Sequence, residues 1–179
     1  MLLNGLIAIC LLVFQGNQAL TTPVPDLSGT WRLDRDLSTH EGLTEMDELN
    51  SVDELTFVIS QTPPTLIVKR IAKEKKHKER VSELTYYTDG RGEKVSFLFS
   101  NEKFKSKTNW VDGALVSNFT LTRSFMNEFY YSDYKETWSL SKDGEVLTVT
   151  TEITVRNVPS LLRKTVTSRT RRKVFQRTH

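Results

Sequence analysis

From Glu54 onward the chain alternates polar and apolar residues almost without interruption, in runs bounded by Asp-Gly, Pro-Pro and charged tips. Period-two alternation marks strands with one buried face. It predicts strands near 54–60, 65–73, 80–88, 93–100, 103–111, 114–124, 128–141, 145–155 and 164–177. A further strand opens at Ser28-Gly29-Thr30-Trp31-Arg32-Leu33-Asp34, where Gly29, Trp31 and Leu33 share a face. Leu43, Met46 and Leu49 fall at helical spacing, so one short helix is expected near residues 43–50, across the end of the sheet. Strands joined by short links cannot be parallel, because parallel neighbours need long crossovers. The expected fold class is therefore all-β: an antiparallel up-and-down β-barrel of about 8–10 strands, an arrangement that removes exposed sheet edges.

Three Asp-Gly pairs, Asp89-Gly90, Asp112-Gly113 and Asp143-Gly144, sit between alternating runs and read as hairpin turns. A two-residue turn fixes register, so each one says which side chains share a face. Around Asp112-Gly113, Val111 pairs Ala114 and Trp110 pairs Leu115. Phe104, Ser106, Thr108 and Trp110 then share a face with Leu115, Ser117, Phe119 and Leu121, and the lysines 103, 105 and 107 take the other. The same construction at Asn101-Glu102 pairs Phe99 with Phe104, Phe97 with Ser106 and Val95 with Thr108. At Asp143-Gly144, Leu140 pairs Leu147, Trp138 pairs Val149, Glu136 pairs Thr151 and Tyr134 pairs Ile153. An even loop near Phe125-Met126 brings Tyr130 to the face of Leu121, and one near Asp89-Gly90 turns Leu84 and Tyr86 inward.

The interior expected from this register is aromatic with a polar minority. Its candidate ligand-binding residues are Tyr86, Phe97, Phe99, Phe104, Trp110, Phe119, Tyr130, Tyr134, Glu136 and Trp138. Ser106, Thr108, Ser117 and Glu136 would be costly in a solid apolar core, since an unpartnered buried polar group costs several kcal/mol. A ligand-holding cavity accommodates them, and so does a filled barrel in which they bond one another, with Glu136 paired to Arg123 or a C-terminal arginine. For the last strand the pattern leaves two facings open. Either Val166, Ser168, Thr170, Arg172 and Val174 point inward, or Arg169, Arg171, Lys173 and Phe175 do; the second would suit an anionic ligand.

The 179-residue length fits one domain with a real core. Residues 6–14, Leu-Ile-Ala-Ile-Cys-Leu-Leu-Val-Phe, are apolar but too short to span a bilayer and lead into Gln-Gly-Asn-Gln-Ala. They read as a secretory signal peptide over 1–19, cut near Ala19, followed by a Pro-bearing linker over 20–27 and the barrel over 28–178. The protein is then secreted or periplasmic, with no transmembrane segment in the mature chain. Cys10 is the only cysteine and lies in the signal, so the mature chain has no disulfide framework. The formal charge of +3 is unevenly spread: 26–54 is acidic, whereas after Glu152 there are only cations. That asymmetry fits first and last strands lying side by side, or a basic end that meets an anionic partner.

Asp26-Leu27-Ser28-Gly29-Thr30-Trp31-Arg32-Leu33-Asp34, Trp110-Val111-Asp112-Gly113 and Glu136-Thr137-Trp138-Ser139-Leu140-Ser141-Lys142-Asp143-Gly144 together resemble the calycin superfamily of lipocalins and fatty-acid-binding proteins. The likeness is nearest to exported bacterial lipocalin-like domains of mostly unknown function and spans about residues 26–178. It implies that Trp31 plugs one end of the barrel and stacks on a basic residue of the last strand, such as Arg169, Arg171 or Arg172, with Arg171 and Arg172 as barrel-closing candidates. The Arg-x-Tyr clamp of fatty-acid-binding proteins stands here as Lys173-Val174-Phe175.

Other chemistry is sparse. His40, His77 and His179 are scattered, so no metal site is expected, and no cofactor, catalytic triad or phosphate loop can be assembled. Asn118-Phe119-Thr120 is a glycosylation sequon on the outward face. The expected partner is a small hydrophobic or amphipathic ligand, with no nucleic acid, bound by a monomer that is not an enzyme. Two alternatives accompany this reading: an envelope-associated or partner-binding protein using its basic C-terminal strand, and a barrel enzyme with Glu136 as acid/base.

Overall fold

A computed structural model describes residues 23–40, 52–74, 79–96, 103–125, 127–156 and 168–179. These form ten antiparallel strands in one sheet: β1 (Gly29–His40), β2 (Val52–Thr62), β3 (Thr65–Glu74), β4 (Glu79–Tyr87), β5 (Glu93–Val95), β6 (Phe104–Val111), β7 (Ala114–Phe125), β8 (Glu128–Leu140), β9 (Val146–Arg156) and β10 (Ser168–Thr178). The order β4-β3-β2-β1-β10-β9-β8-β7-β6-β5 places the first and last strands in the middle of the sheet, paired from Thr30–Thr178 to His40–Arg171. The fold is therefore the up-and-down barrel that the alternation predicts. Among the described residues there is no helix, and none long and apolar enough to cross a membrane. The segment 43–50, the apolar run 6–14, Phe97 and Phe99 lie outside the described residues.

One end of the barrel is made of tight turns. Asp112 and Gly113 both have positive φ, 50° and 78°, as a two-residue turn matched to the strand twist requires. Pro63-Pro64, a cis pair, joins β2 to β3, with Thr62 opposite Thr65. Ser141, Asp143 and Gly144 turn β8 into β9, where the Gly144 N–H donates to Ser141 O at 3.0 Å. The register read from the Asp112 and Asp143 turns is the one observed, including Trp110–Leu115, Glu136–Thr151 and Tyr134–Ile153.

Two local expectations are overturned. Val95 pairs Phe104, not Thr108, and Glu93 pairs Ser106. The β5–β6 connection is longer than two residues, and because the slip is by an even number the inward face is unchanged: Val95 remains buried. Asp89-Gly90 does not join a hydrogen-bonded pair of strands. β4 pairs β3 and β5 pairs β6, leaving a seam between β4 and β5 where the sheet ends meet. Turn geometry alone could not reveal this, because a strand can leave a tight turn beside its predecessor or rotated away from it.

Side chains close the seam. Arg70 on β3 donates to Ser82 Oγ on β4 at 3.0 Å and to Ser96 O, just past β5, at 2.8 Å. Glu93 accepts from the Tyr87 N–H at 3.3 Å, and Gly90 N donates to Thr108 O at 3.1 Å. Gly90 has φ 73°, and a Cβ there would stand 2.4 Å from Asn109 Oδ1. The positive φ favours glycine here, and a side chain would also push the Asn109 amide aside.

Candidate functional site

The tight-turn end is plugged. Trp31 is fully buried and donates from Nε1 to Leu27 O at 2.9 Å, while Leu27 N donates to Gln61 Oε1 at 3.0 Å. A basic residue of the last strand does stack on the indole, but it is Arg177, with its guanidinium carbon 4.3 Å from the ring centroid, rather than Arg169, Arg171 or Arg172. Trp31 and Arg177 are direct cross-strand partners. Arg177 also donates to Gly144 O at 2.8 Å and Ser28 O at 3.0 Å, tying three chain segments together. Gly29, at φ 134°, leaves the room: a Cβ would lie 2.9 Å from Arg177 Nη1.

Above the plug lies an aromatic tier. Phe57 stacks on Phe175 at 4.4 Å and on Trp138 at 5.8 Å, and Tyr86 meets Trp138 edge-on at 5.8 Å. Phe104, Phe119 and Tyr134 form a second stack, with centroids 6.1 and 4.8 Å apart. Such pairs hold rings in fixed orientation as well as excluding water. Trp110 is half-buried and packs on the edge of this core.

β10 supplies the charge. Arg169 lies opposite Ile153, Arg171 opposite Thr151 and Lys173 opposite Val149, three buried inward-facing positions of β9. Arg169, Arg171, Lys173 and Phe175 therefore point inward, whereas Thr170 and Arg172 are exposed. Of the two barrel-closing candidates on this strand, neither reaches Trp31: Arg171 enters the interior and Arg172 faces water.

These groups meet at a void of about 60 Å³ whose walls include Phe57, Arg70, Phe119, Tyr134, Glu136, Trp138, Arg171 and Lys173. Tyr86, Val95, Ser96, Val149 and Thr151 complete it. Of the predicted cavity residues, Tyr86, Phe119, Tyr134, Glu136 and Trp138 line this void, Phe104 stacks behind Phe119, and Tyr130 pairs Arg123 across β7–β8. The void is small beside the ~300–1,000 Å³ of drug-sized ligand sites, so side chains fill most of the described interior. Among the described residues its character is cationic, with Arg70, Arg171 and Lys173 against the carboxylate of Glu136. Thr151 donates to Glu136 Oε1 at 3.5 Å. Trp138 Nε1 is buried with no hydrogen-bond partner among the described residues, on a residue that lines the void. Burial pushes the Tyr134 phenol above its ordinary value, against the pull of the nearby Arg123 and Arg171 guanidinium groups.

A second buried polar cluster lies beside the seam. Glu93 accepts from Ser106 Oγ and Thr108 Oγ1, both at 2.5 Å, and Ser117, opposite Thr108, has a buried hydroxyl without a partner among the described residues. The polar minority of the predicted interior is thus largely bonded to itself around a carboxylate. Sequence reasoning missed Glu93 and Arg70, although both signals were present. Glu93 shares parity with Val95, and Arg70 stands in the alternating series Leu66, Val68, Arg70, Ala72, whose other members are buried.

The chain is thus a ten-stranded antiparallel barrel with one plugged end and a small cation-lined interior site. It matches no described protein family, and no curated protein is similar to it. Among solved structures it is similar to the zebrafish ileal bile acid-binding protein complexed with cholic acid, at 14% identity over 85% of this chain and 98% of that one, with a TM-score of 0.47.

Proposed function

We propose that the protein is an exported, cofactor-free barrel that binds a small amphipathic anion inside, its acidic group on Arg70, Arg171 and Lys173 and its apolar part against Phe57, Phe119 and Trp138. One observation carries this reading. Three cations, Trp138 and stacked rings line one void. An anion entering there would meet more cationic than anionic groups among the described residues, at a low dielectric where such attraction is strong. The void accepts a headgroup of a few heavy atoms; a longer tail must displace side chains or leave through the end opposite the Trp31 plug.

Titrating the purified protein with octanoate and with octanol, followed by tryptophan fluorescence, tests the idea. Octanoate is expected to bind and octanol not, with octanoate affinity falling at least tenfold in Lys173→Gln. Equal binding of the two, or of neither, rejects it. Export rests on the apolar run before Ala19, and N-terminal sequencing of the secreted protein is expected to begin at Leu20.

A further inference from the structure

Much of the barrel's outer surface is electrically paired. Arg32 and Lys73 meet Glu54, Arg80 meets Glu74, Arg91 meets Asp89, Lys135 meets Glu152 and Arg156 meets Asp133. β5 and β6 depart from this pattern. Lys94, Lys103, Lys105 and Lys107 are all exposed, and none has an ion pair among the described residues. Lys94 and Lys105 are direct partners across the β5–β6 ladder. Like charges directly opposite in a sheet are destabilising, so the fold carries a local cost here that other outer rows avoid. Lys105 and Lys107 sit two residues apart on one strand, about 6.7 Å, with Lys103 continuing the row.

These lysines form one wall of an open groove of about 1220 Å³ on the outer face of β5–β9. Asn118, Thr120, Thr122 and Thr154 supply hydrogen-bonding groups along its floor, which Ser106 and Leu121 also border. On its far side Lys135 and Asp133 are already matched to Glu152 and Arg156. Phe104, Phe119 and Tyr134 also border the groove, but Phe104 and Phe119 are buried and the three rings stack on one another, so the groove offers no open aromatic platform.

We propose that this groove binds a linear sulfated polysaccharide, with sulfates on the lysines and sugar hydroxyls on the amide and hydroxyl floor. Lysine ammonium groups are compact point charges with rotatable donors, suited to sulfates that vary in position along a chain. The concave surface would meet a flat bilayer only at its rim. Single-stranded nucleic acid would expect aromatic side chains on which to stack its bases. A polyanion along the row turns the Lys94–Lys105 repulsion into attraction. This site is distinct from the interior one and stands or falls without it.

The test measures binding of the purified protein to heparin oligosaccharides of defined length across a salt series. Phosphatidylserine vesicles and single-stranded DNA are run alongside. Heparin is expected to bind with steep salt dependence. Replacing Lys94, Lys103, Lys105 and Lys107 together by Gln should abolish most of the affinity and flatten the log–log salt slope by about three, the value expected for four lost cation contacts. The melting temperature of that variant should not fall, since a repulsive pair is removed, and Lys107→Gln alone should weaken binding without touching that pair. Arg172→Gln with Lys142→Gln, exposed cations elsewhere, should bind heparin as the unaltered protein does. Absence of heparin binding, undiminished binding by the four-lysine variant, an equal loss in the control variant, or tighter binding to vesicles or DNA each overturns the proposal.

Discussion

Arg177 acts on three things at once: it covers the face of Trp31, caps Gly144 O and reaches Ser28 O. Each contact is modest alone, but removal would uncover a buried indole and strand two carbonyls, so Arg177→Leu should cost about 2–4 kcal/mol from the sum of a cation–π contact and two charge-assisted hydrogen bonds. Lysine should recover less than half of that, because an ammonium cannot stack flat and donate in two fixed directions. Urea unfolding at neutral pH checks both. Tyr134 gives a pH-dependent counterpart. Its phenol is held above its ordinary value, with burial as the largest cause. A group whose folded value is raised contributes stability that is intact below its unfolded value, about pH 10, and lost as pH climbs through the folded value. Unfolding free energy should therefore decline above about pH 10, and Tyr134→Phe should flatten that limb. An unchanged alkaline limb in Tyr134→Phe would show that other groups set it.

Hairpins and the seam behave differently because they are held by different bonds. β7–β8 and β8–β9 are continuous ladders, while β4 and β5 are joined by Arg70, Glu93 and their hydroxyl partners. Arg70→Met keeps the apolar stem but leaves Ser82 and Ser96 without their donor, and should destabilise by about 2–4 kcal/mol, as for breaking a buried charged hydrogen-bond network. Hydrogen exchange should rise first in β4 and β5, and uniform acceleration across the barrel would show that the seam is not a separate unit. Lys105→Glu, by contrast, should stabilise by roughly 0.5 kcal/mol on converting a like-charge pair to an opposite one. The same division decides what was legible in the sequence. Strand faces were readable wherever alternation and a two-residue turn agreed, as at Trp110–Leu115 and Trp138–Val149. The Val95 register and the β4–β5 seam were not, because a loop of unknown even length preserves every facing while moving every partner. The last strand was ambiguous for another reason. Val174 and Phe175 are consecutive and both buried, so parity alone cannot say which belongs to the interior.

Across the whole barrel the inward side chains around the void carry more cations than carboxylates. Arg70, Arg171 and Lys173 line the void with Glu136, and Glu93 is engaged by Ser106 and Thr108 at the seam. A core built only for stability would replace such groups with apolar residues of similar volume, since buried ionic clusters rarely repay their desolvation. Their presence around the void that Trp138 also lines supports the proposal of an anion-binding interior. Linkage then fixes the size of the effect. An anion that binds only the folded state adds RT ln(1 + [L]/Kd), about 2.7 kcal/mol at one hundred times Kd. For a domain of this size that corresponds to a rise of roughly 5–10 °C in melting temperature. Lys173→Gln should lose most of the octanoate-induced rise. Stabilisation of the same size in Lys173→Gln, or by octanol in the unaltered protein, would mean that the interior cations hold the barrel together rather than hold a ligand. The two readings part on how much of the octanoate-induced rise survives in the variant, which makes calorimetry of Lys173→Gln with and without octanoate the decisive comparison.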